Sequence, residues 1–270
     1  MRTNRLALCF LAASLLTARA APASGAASSV ADVGTFEVTL DGDVFEEPFS
    51  GAVFVAFAKE GEPRSAMHGW FGAPPVLRFD VAEGTKTLEL SAASAAACFP
   101  VDWDDVAAGE EWSVQAVARR SRTGREAGLS PGDVYSDVAR IVYDAGSDGT
   151  VQLRLDRVVE PKVLEGTDRV ELFEFVSPSL SKFHGFDYTM NAGVLLPRDH
   201  DASKRYPVVY SITGFGGTHR SIRRWSSRVE ETVLDDCIIV VPDASNRYGH
   251  SVFCDSDSIG PWGHALVHEL

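Results

Sequence analysis

From Thr35 to about Val159 apolar and polar positions alternate strictly. "TFEVTL" puts Phe36, Val38 and Leu40 on one face, and "AVFVAF" does the same with Val53, Val55 and Phe57. "LRFDV", "TLELS", "EWSVQAV", "ARIVYD" and "TVQLRLDRV" repeat the pattern, separated by Gly, Pro, Asp and Ser. Period two predicts strands with one buried face. Seven or so short strands with no helical stretch between them predict a β-sandwich. The longest interruption, "RRSRTGREAGLSPGD", predicts a solvated hairpin loop carrying Arg119, Arg120, Arg122 and Arg125.

After Pro161 the pattern changes. "VELFEFVSPSLS" and "MNAGVLLP" still predict strands, antiparallel neighbours. "YPVVYSITG" is nearly all apolar from Tyr206 to Ile212, as expected of a strand buried on both faces, and "CIIVVPD" predicts a second one. Between them Ile222, Trp225, Val229 and Val233 recur at helical spacing, with Ser221 placed to cap. "GPWGHALVHEL" predicts a second helix, with Trp262, Leu266 and Leu270 on one face and Pro261 at its first position. Strand, helix, strand, helix implies a parallel α/β sheet. The expected organisation is a β-sandwich over 33–162 followed by an incomplete α/β-hydrolase domain over 163–270.

The first residues have another purpose. Arg2 and Arg5 precede an apolar run from Leu6 to Leu16, and Ala18-Arg19-Ala20 offers a cleavage site. Residues 1–20 therefore predict a secretory signal, 21–32 a linker, and the mature chain a secreted or periplasmic location. No later stretch is apolar enough for a membrane helix. Cleavage near Ala20 leaves three cysteines, Cys98, Cys237 and Cys254, an odd number that excludes a disulfide framework while allowing a Cys237–Cys254 bridge. The formal charge of −13 argues against nucleic acid as a partner.

Chemistry concentrates in "TGFGGTHRS", Thr213 to Ser221. Glycines at 214, 216 and 217 let the chain turn at the carboxyl end of a buried strand, where open α/β sheets bind ligands. The spacing and the missing Lys do not suit a P-loop phosphate site, whereas backbone N–H groups here suit an oxyanion hole. "SPSLSKFHGFDYTMNAGVLLP", "RYPVVYSITGFGG", "VVPDASNRYGHSVFCDS" and "GPWGHALVHEL", in that order, resemble the first half of the esterase D-like group of α/β-hydrolases. "AGEEWSVQAV" and "PGDVYSDV" resemble the β-sandwich that precedes the hydrolase domain in some exported members. The resemblance implies that Phe215, Gly216 and Gly217 border the oxyanion hole, and that Phe253, Asp255 and Ser256 lie beside the substrate cleft.

In that group the helix beginning "GPWG" is followed by a strand and a G-x-S-x-G nucleophile elbow, with the Asp and His later still. The resemblance thus implies a chain that stops one helix short of the elbow, and no G-x-S-x-G occurs in the 270 residues. "GHSVF" puts Ser251 in a nucleophile-like place, with Asp255 or Asp257 and His264 as paper partners, but Phe253 stands where the second Gly belongs. His264 and His268, four apart, lack the third ligand of a zinc site. "DHDAS" lacks the Gly and the Glu of a calcium loop and predicts a turn. "WDD", Trp103 to Asp105, reads as a core Trp beside solvated carboxylates. No cofactor or metal is called for.

The expectation is an exported serine carboxylic-ester hydrolase by ancestry, acting on a small ester, and inert in this chain for want of a triad. Its sheet edge would stay open where the elbow strand belongs, inviting self-association. The alternative is an extracellular binding protein whose β-sandwich holds carbohydrate or a protein partner, with Trp70 and Trp103 as candidates to face a sugar.

Overall fold

The computed structural model describes residues 32–270 apart from 46, 70, 101, 103–105, 107, 108 and 164. The expected signal, almost all of the linker, Trp70 and the "WDD" segment lie outside the described residues.

The alternating segments form strands β1 (Asp32–Val33), β2 (Thr35–Leu40), β3 (Gly51–Ala58), β4 (Val76–Val81), β5 (Thr87–Ser91) and β6 (Ala97–Phe99). A single helical turn, α1 (Pro63–Ala66), follows β3. Then come β7 (Glu110–Ala118), β8 (Val134–Tyr135), β9 (Ala139–Tyr143), β10 (Thr150–Leu155) and β11 (Arg157–Val158). One sheet runs β1-β9-β7-β3-β4-β6, with β8 on β7 and β11 on β8; a smaller sheet runs β10-β2-β5. Both sheets feed one core. Phe36, Val38 and Leu153 from the small sheet join Val55, Phe57, Leu77, Val114 and Ile141 from the large one. Phe57 sits at its centre, edge-on to Phe36 at 5.8 Å and to Trp112 at 5.9 Å. The alternation is what permits this, since every second side chain of each strand points to the same interior.

The second half builds a four-stranded sheet in the order β12 (Val170–Val176), β13 (Thr189–Leu195), β15 (Ile238–Pro242), β14 (Val208–Tyr210). β12 and β13 are antiparallel, as are β13 and β15, while β14 and β15 run parallel. β15 is buried through most of its length. β14 is not buried on both faces: Val208, Tyr210 and Ile212 are each 48% exposed, because β14 pairs with β15 alone among the described residues.

Two local expectations give way to capping chemistry. "SPSLS" ends no strand; it opens helix α2 (Pro178–His184), where Ser177 accepts the Leu180 N–H, Pro178 takes the first position and Gly185 closes the end at φ 74°. The single helix expected over Ile222 to Val233 is divided. A 3₁₀ turn (His219–Arg224) precedes α3 (Trp225–Val229), Glu231 breaks the run at φ 60°, and a second 3₁₀ turn spans Val233–Asp236. Ile222 and Val229 are buried as the spacing requires, but Val233 falls past the break and is 85% exposed. Hairpin strands β16 (Ser245–Asn246) and β17 (Gly249–His250), then β18 (Asp255–Ser256) and β19 (Gly260–Pro261), lead into helix α4 (Trp262–His268). Trp262 is buried against Tyr188 and Phe253 in a second core.

Candidate functional site

The parallel pair β14 and β15 ends in two loops that meet. From β14 runs Thr213 to Thr218; from β15 runs Asp243 into the β16–β17 hairpin. Gly216 adopts φ 82°, which an L side chain resists, and Gly217 packs so tightly that a Cβ would stand 2.5 Å from the Thr213 Cβ. The Gly217 N–H donates to the Gly214 carbonyl at 2.9 Å, so it closes the turn and does not face a ligand. The Gly216 N–H has no such partner among the described residues, and Gly216 is exposed. Phe215 is 60% exposed and lies against Gly249.

Asp243 organises the floor. Its carboxylate accepts from His219 Nδ1 at 2.6 Å, from the His219 backbone N–H at 3.3 Å and from the Ser245 N–H at 2.9 Å, and it also takes the Ser245 hydroxyl. Burial alone pushes the carboxyl's pKa up; these donors more than offset it and hold it below the usual value. Donation from Nδ1 leaves Nε2 as the basic nitrogen of a neutral His219. No hydroxyl or thiol hydrogen-bonds to that ring among the described residues. His250 accepts the Val252 N–H at Nδ1, 3.0 Å, so its neutral ring carries the proton at Nε2, 3.4 Å from Thr213 Oγ1. Burial depresses the His250 pKa, Asp243 opposes that and Arg125 adds to it.

The arginine loop is not a free hairpin. Buried Asp133 gathers it, accepting the N–H groups of Arg120 (2.9 Å), Ser121 (2.7 Å) and Gly128 (2.8 Å). Arg119 bonds the carbonyls of Gly124 and, across the two halves, Arg247 at 2.9 Å. Arg125 lies 5.3 Å from the Phe215 ring centre, and its Nη1 would stand 3.3 Å from a Cβ on Gly216. A cavity of about 140 Å³ opens between this loop and the second half, lined by Gly124, Arg125, Tyr188, Asn191 and Asp243 among others.

The structure therefore joins Phe215, Gly216 and Gly217 to Arg125, His219, Asp243 and His250, four residues the sequence reading gave no role here. Their signal was positional: His219 and Asp243 follow the carboxyl ends of the adjacent parallel strands β14 and β15. The other candidates lie elsewhere. Ser251 is 1% exposed, and its Oγ accepts the Phe253 N–H at 3.2 Å under a turn in which Val252 and Phe253 have φ of 47° and 52°. Phe253 is a core residue against Trp262. Asp255 accepts the backbone N–H of His264 at 3.0 Å at the start of α4, so it is spent on the helix and not on an imidazole. Ser256 accepts the Ser258 N–H at 3.1 Å, and it and Asp255 line a cavity of about 420 Å³ with Ser179, Lys182, Phe183 and Pro261. The His264 and His268 rings stand 4.6 Å apart, and among the described residues no three His, Cys, Asp or Glu side chains converge to hold a metal. Asp201 makes a turn by accepting from Ser203. Cys98, Cys237 and Cys254 are free thiols, so Cys237 and Cys254 are not bridged. Among the described residues no helix is long and apolar enough to cross a membrane.

No known protein family matches the chain, and no curated protein does. A solved thermostable esterase is similar to it. The likeness is distant: 13% identity and a TM-score of 0.21, over 78% of this chain and 57% of that one. The chain thus spans little more than half the length of that neighbour.

Proposed function

We propose that the chain comprises a β-sandwich and the first part of an α/β-hydrolase domain of an exported serine carboxylic-ester hydrolase, and that it carries the oxyanion side of the site without the nucleophile. The observation behind this reading is the glycine loop at the end of β14, with the exposed Gly216 N–H beside the Arg125 guanidinium. A carbonyl oxygen placed there accepts a fixed N–H and gains a nearby positive charge as it becomes an oxyanion. One such donor is typically worth about 10²–10³ in rate. Asp243 and His219 hold the loop's exit in place.

Attack on the ester needs an activated hydroxyl, and the chain offers no G-x-S-x-G. Ser251, the one serine at an elbow-like position, is enclosed and hydrogen-bonded to the main chain. The expected result is that purified chain hydrolyses p-nitrophenyl acetate no faster than buffer and takes no label from a fluorophosphonate probe. Labelling mapped to Ser251 by mass spectrometry would sink the claim that the nucleophile is missing. Sequencing the locus beyond codon 270 tests the ancestry: an in-frame strand and G-x-S-x-G support it, and unrelated coding sequence there removes its support.

A further inference from the structure

A cavity of about 640 Å³ lies apart from the glycine loop, walled by Phe45, by residues 47–52 and by Arg119, Arg120, Arg122 and Arg247. Four arginines line one hollow in a chain of formal charge −13. Glu47 also lines it, yet none of the four arginines forms an ion pair among the described residues. Elsewhere the described arginines commonly find carboxylates: Arg64 with Glu62, Arg78 with Asp80, Arg169 with Asp235 and Arg198 with Glu230. In the cavity they settle for carbonyls and rings. Arg119 and Arg120 reach main-chain oxygens, Arg122 lies 4.4 Å from the Phe186 ring centre, and Arg247 lies 5.5 Å from that of Tyr248. The Nε of Arg119 is buried with no partner. Burial lowers the Arg119 pKa and the neighbouring charge of Arg247 lowers it further, with Asp133 opposing. Like charges gathered without an ion pair among the described residues suit a ligand that brings its own counter-charge.

We infer that this cavity binds a compact ligand bearing two or more oxyanion groups, carboxylate or phosphate, clasped by Arg122 and Arg247 with Arg119 and Arg120 behind them. The net negative charge of the chain disfavours long polyanions such as nucleic acid, so the cavity suits small ones. The site does not rest on the ester-hydrolase reading, because its walls come mainly from the first half and none of its residues belongs to the glycine loop.

Isothermal titration of the full chain with citrate and with pyrophosphate, at constant ionic strength, tests it. Saturable one-to-one binding of either probe is expected, and the tighter of the two names the group preferred. Arg122→Gln and Arg247→Gln should each weaken it about tenfold. The corresponding Lys variants, which keep the charge but lose the planar fork, should lose less. Neither the Arg122 nor the Arg247 side chain makes a hydrogen bond among the described residues, and Gln keeps part of the packing on Phe186 and Tyr248, so these variants should melt within a few degrees of the parent. Arg228→Gln, an exposed charge on α3, should bind as the parent does. The proposal fails if neither probe gives a saturable signal. It fails equally if the Arg122 and Arg247 variants bind unchanged, or if Arg228→Gln weakens binding as much as they do.

Discussion

Asp243 shows how one residue ties the site to the fold. It follows β15 directly, is 8% exposed, and spends its carboxylate on His219 and Ser245. Asp243→Asn keeps the shape but turns one acceptor into a donor facing donors. The expected loss is about 2–3 kcal/mol at neutral pH, measured by urea denaturation. The folded pKa lies below the usual carboxylate value, so the native state holds this proton more weakly than the unfolded chain. Its stabilisation is therefore complete above the unfolded pKa of about 3.9 and is lost as pH falls through the folded value. The gap between parent and variant should narrow only in acid; a gap unchanged down to pH 3 would mean the carboxylate's charge is not what stabilises.

Elements approach one another only where the residues between them are small. Gly193 in β13 lies under the turn His219–Arg224: a Cβ there would stand 2.5 Å from the His219 carbonyl and 2.5 Å from Ile222 Cγ2. Gly193→Ala should cost about 3 kcal/mol and lift His219 away from Asp243. The check is a drop in melting temperature together with a changed imidazole NMR signal for His219. The strand periodicity named β13, yet nothing in "MNAGVLL" announces that a turn from 26 residues on rests against its glycine. Spacing did better for strands than for helices. The alternation held through β2 and β4, whereas Val55–Ala58 of β3 and Val114–Ala118 of β7 are buried at successive positions, and the pattern from Ile222 to Val233 ran across a break set by the backbone at Glu231.

For the molecule as a whole, we propose that the β14 edge favours association. Val208 and Tyr210 leave an apolar strand with one side unpaired among the described residues. Edges of this kind recruit other strands. Light scattering behind a sizing column should show a mass that rises with concentration, and Tyr210→Lys should return the chain largely to monomer. A concentration-independent monomer for the parent would remove this expectation. The two halves also meet through the arginine loop, whose Arg119 holds the Arg247 carbonyl and whose Arg125 lies by Phe215. A run of arginines between strands carries no mark of what it will touch, which is why it read as a solvated hairpin.

The sequence by itself determined most of the strand segments, the inward side chains of cleanly alternating strands such as β2 and β4, and which loop holds the glycines. Those are local properties, set by the period of side-chain direction and by the backbone freedom of single residues. Only the tertiary structure decided that Gly217 closes a turn while Gly216 stays open, that Ser251 is enclosed, and that four arginines from two distant segments share one cavity. Each of these depends on which groups far apart in the chain compete for the same space and the same hydrogen bonds, and no pattern along the chain records that competition.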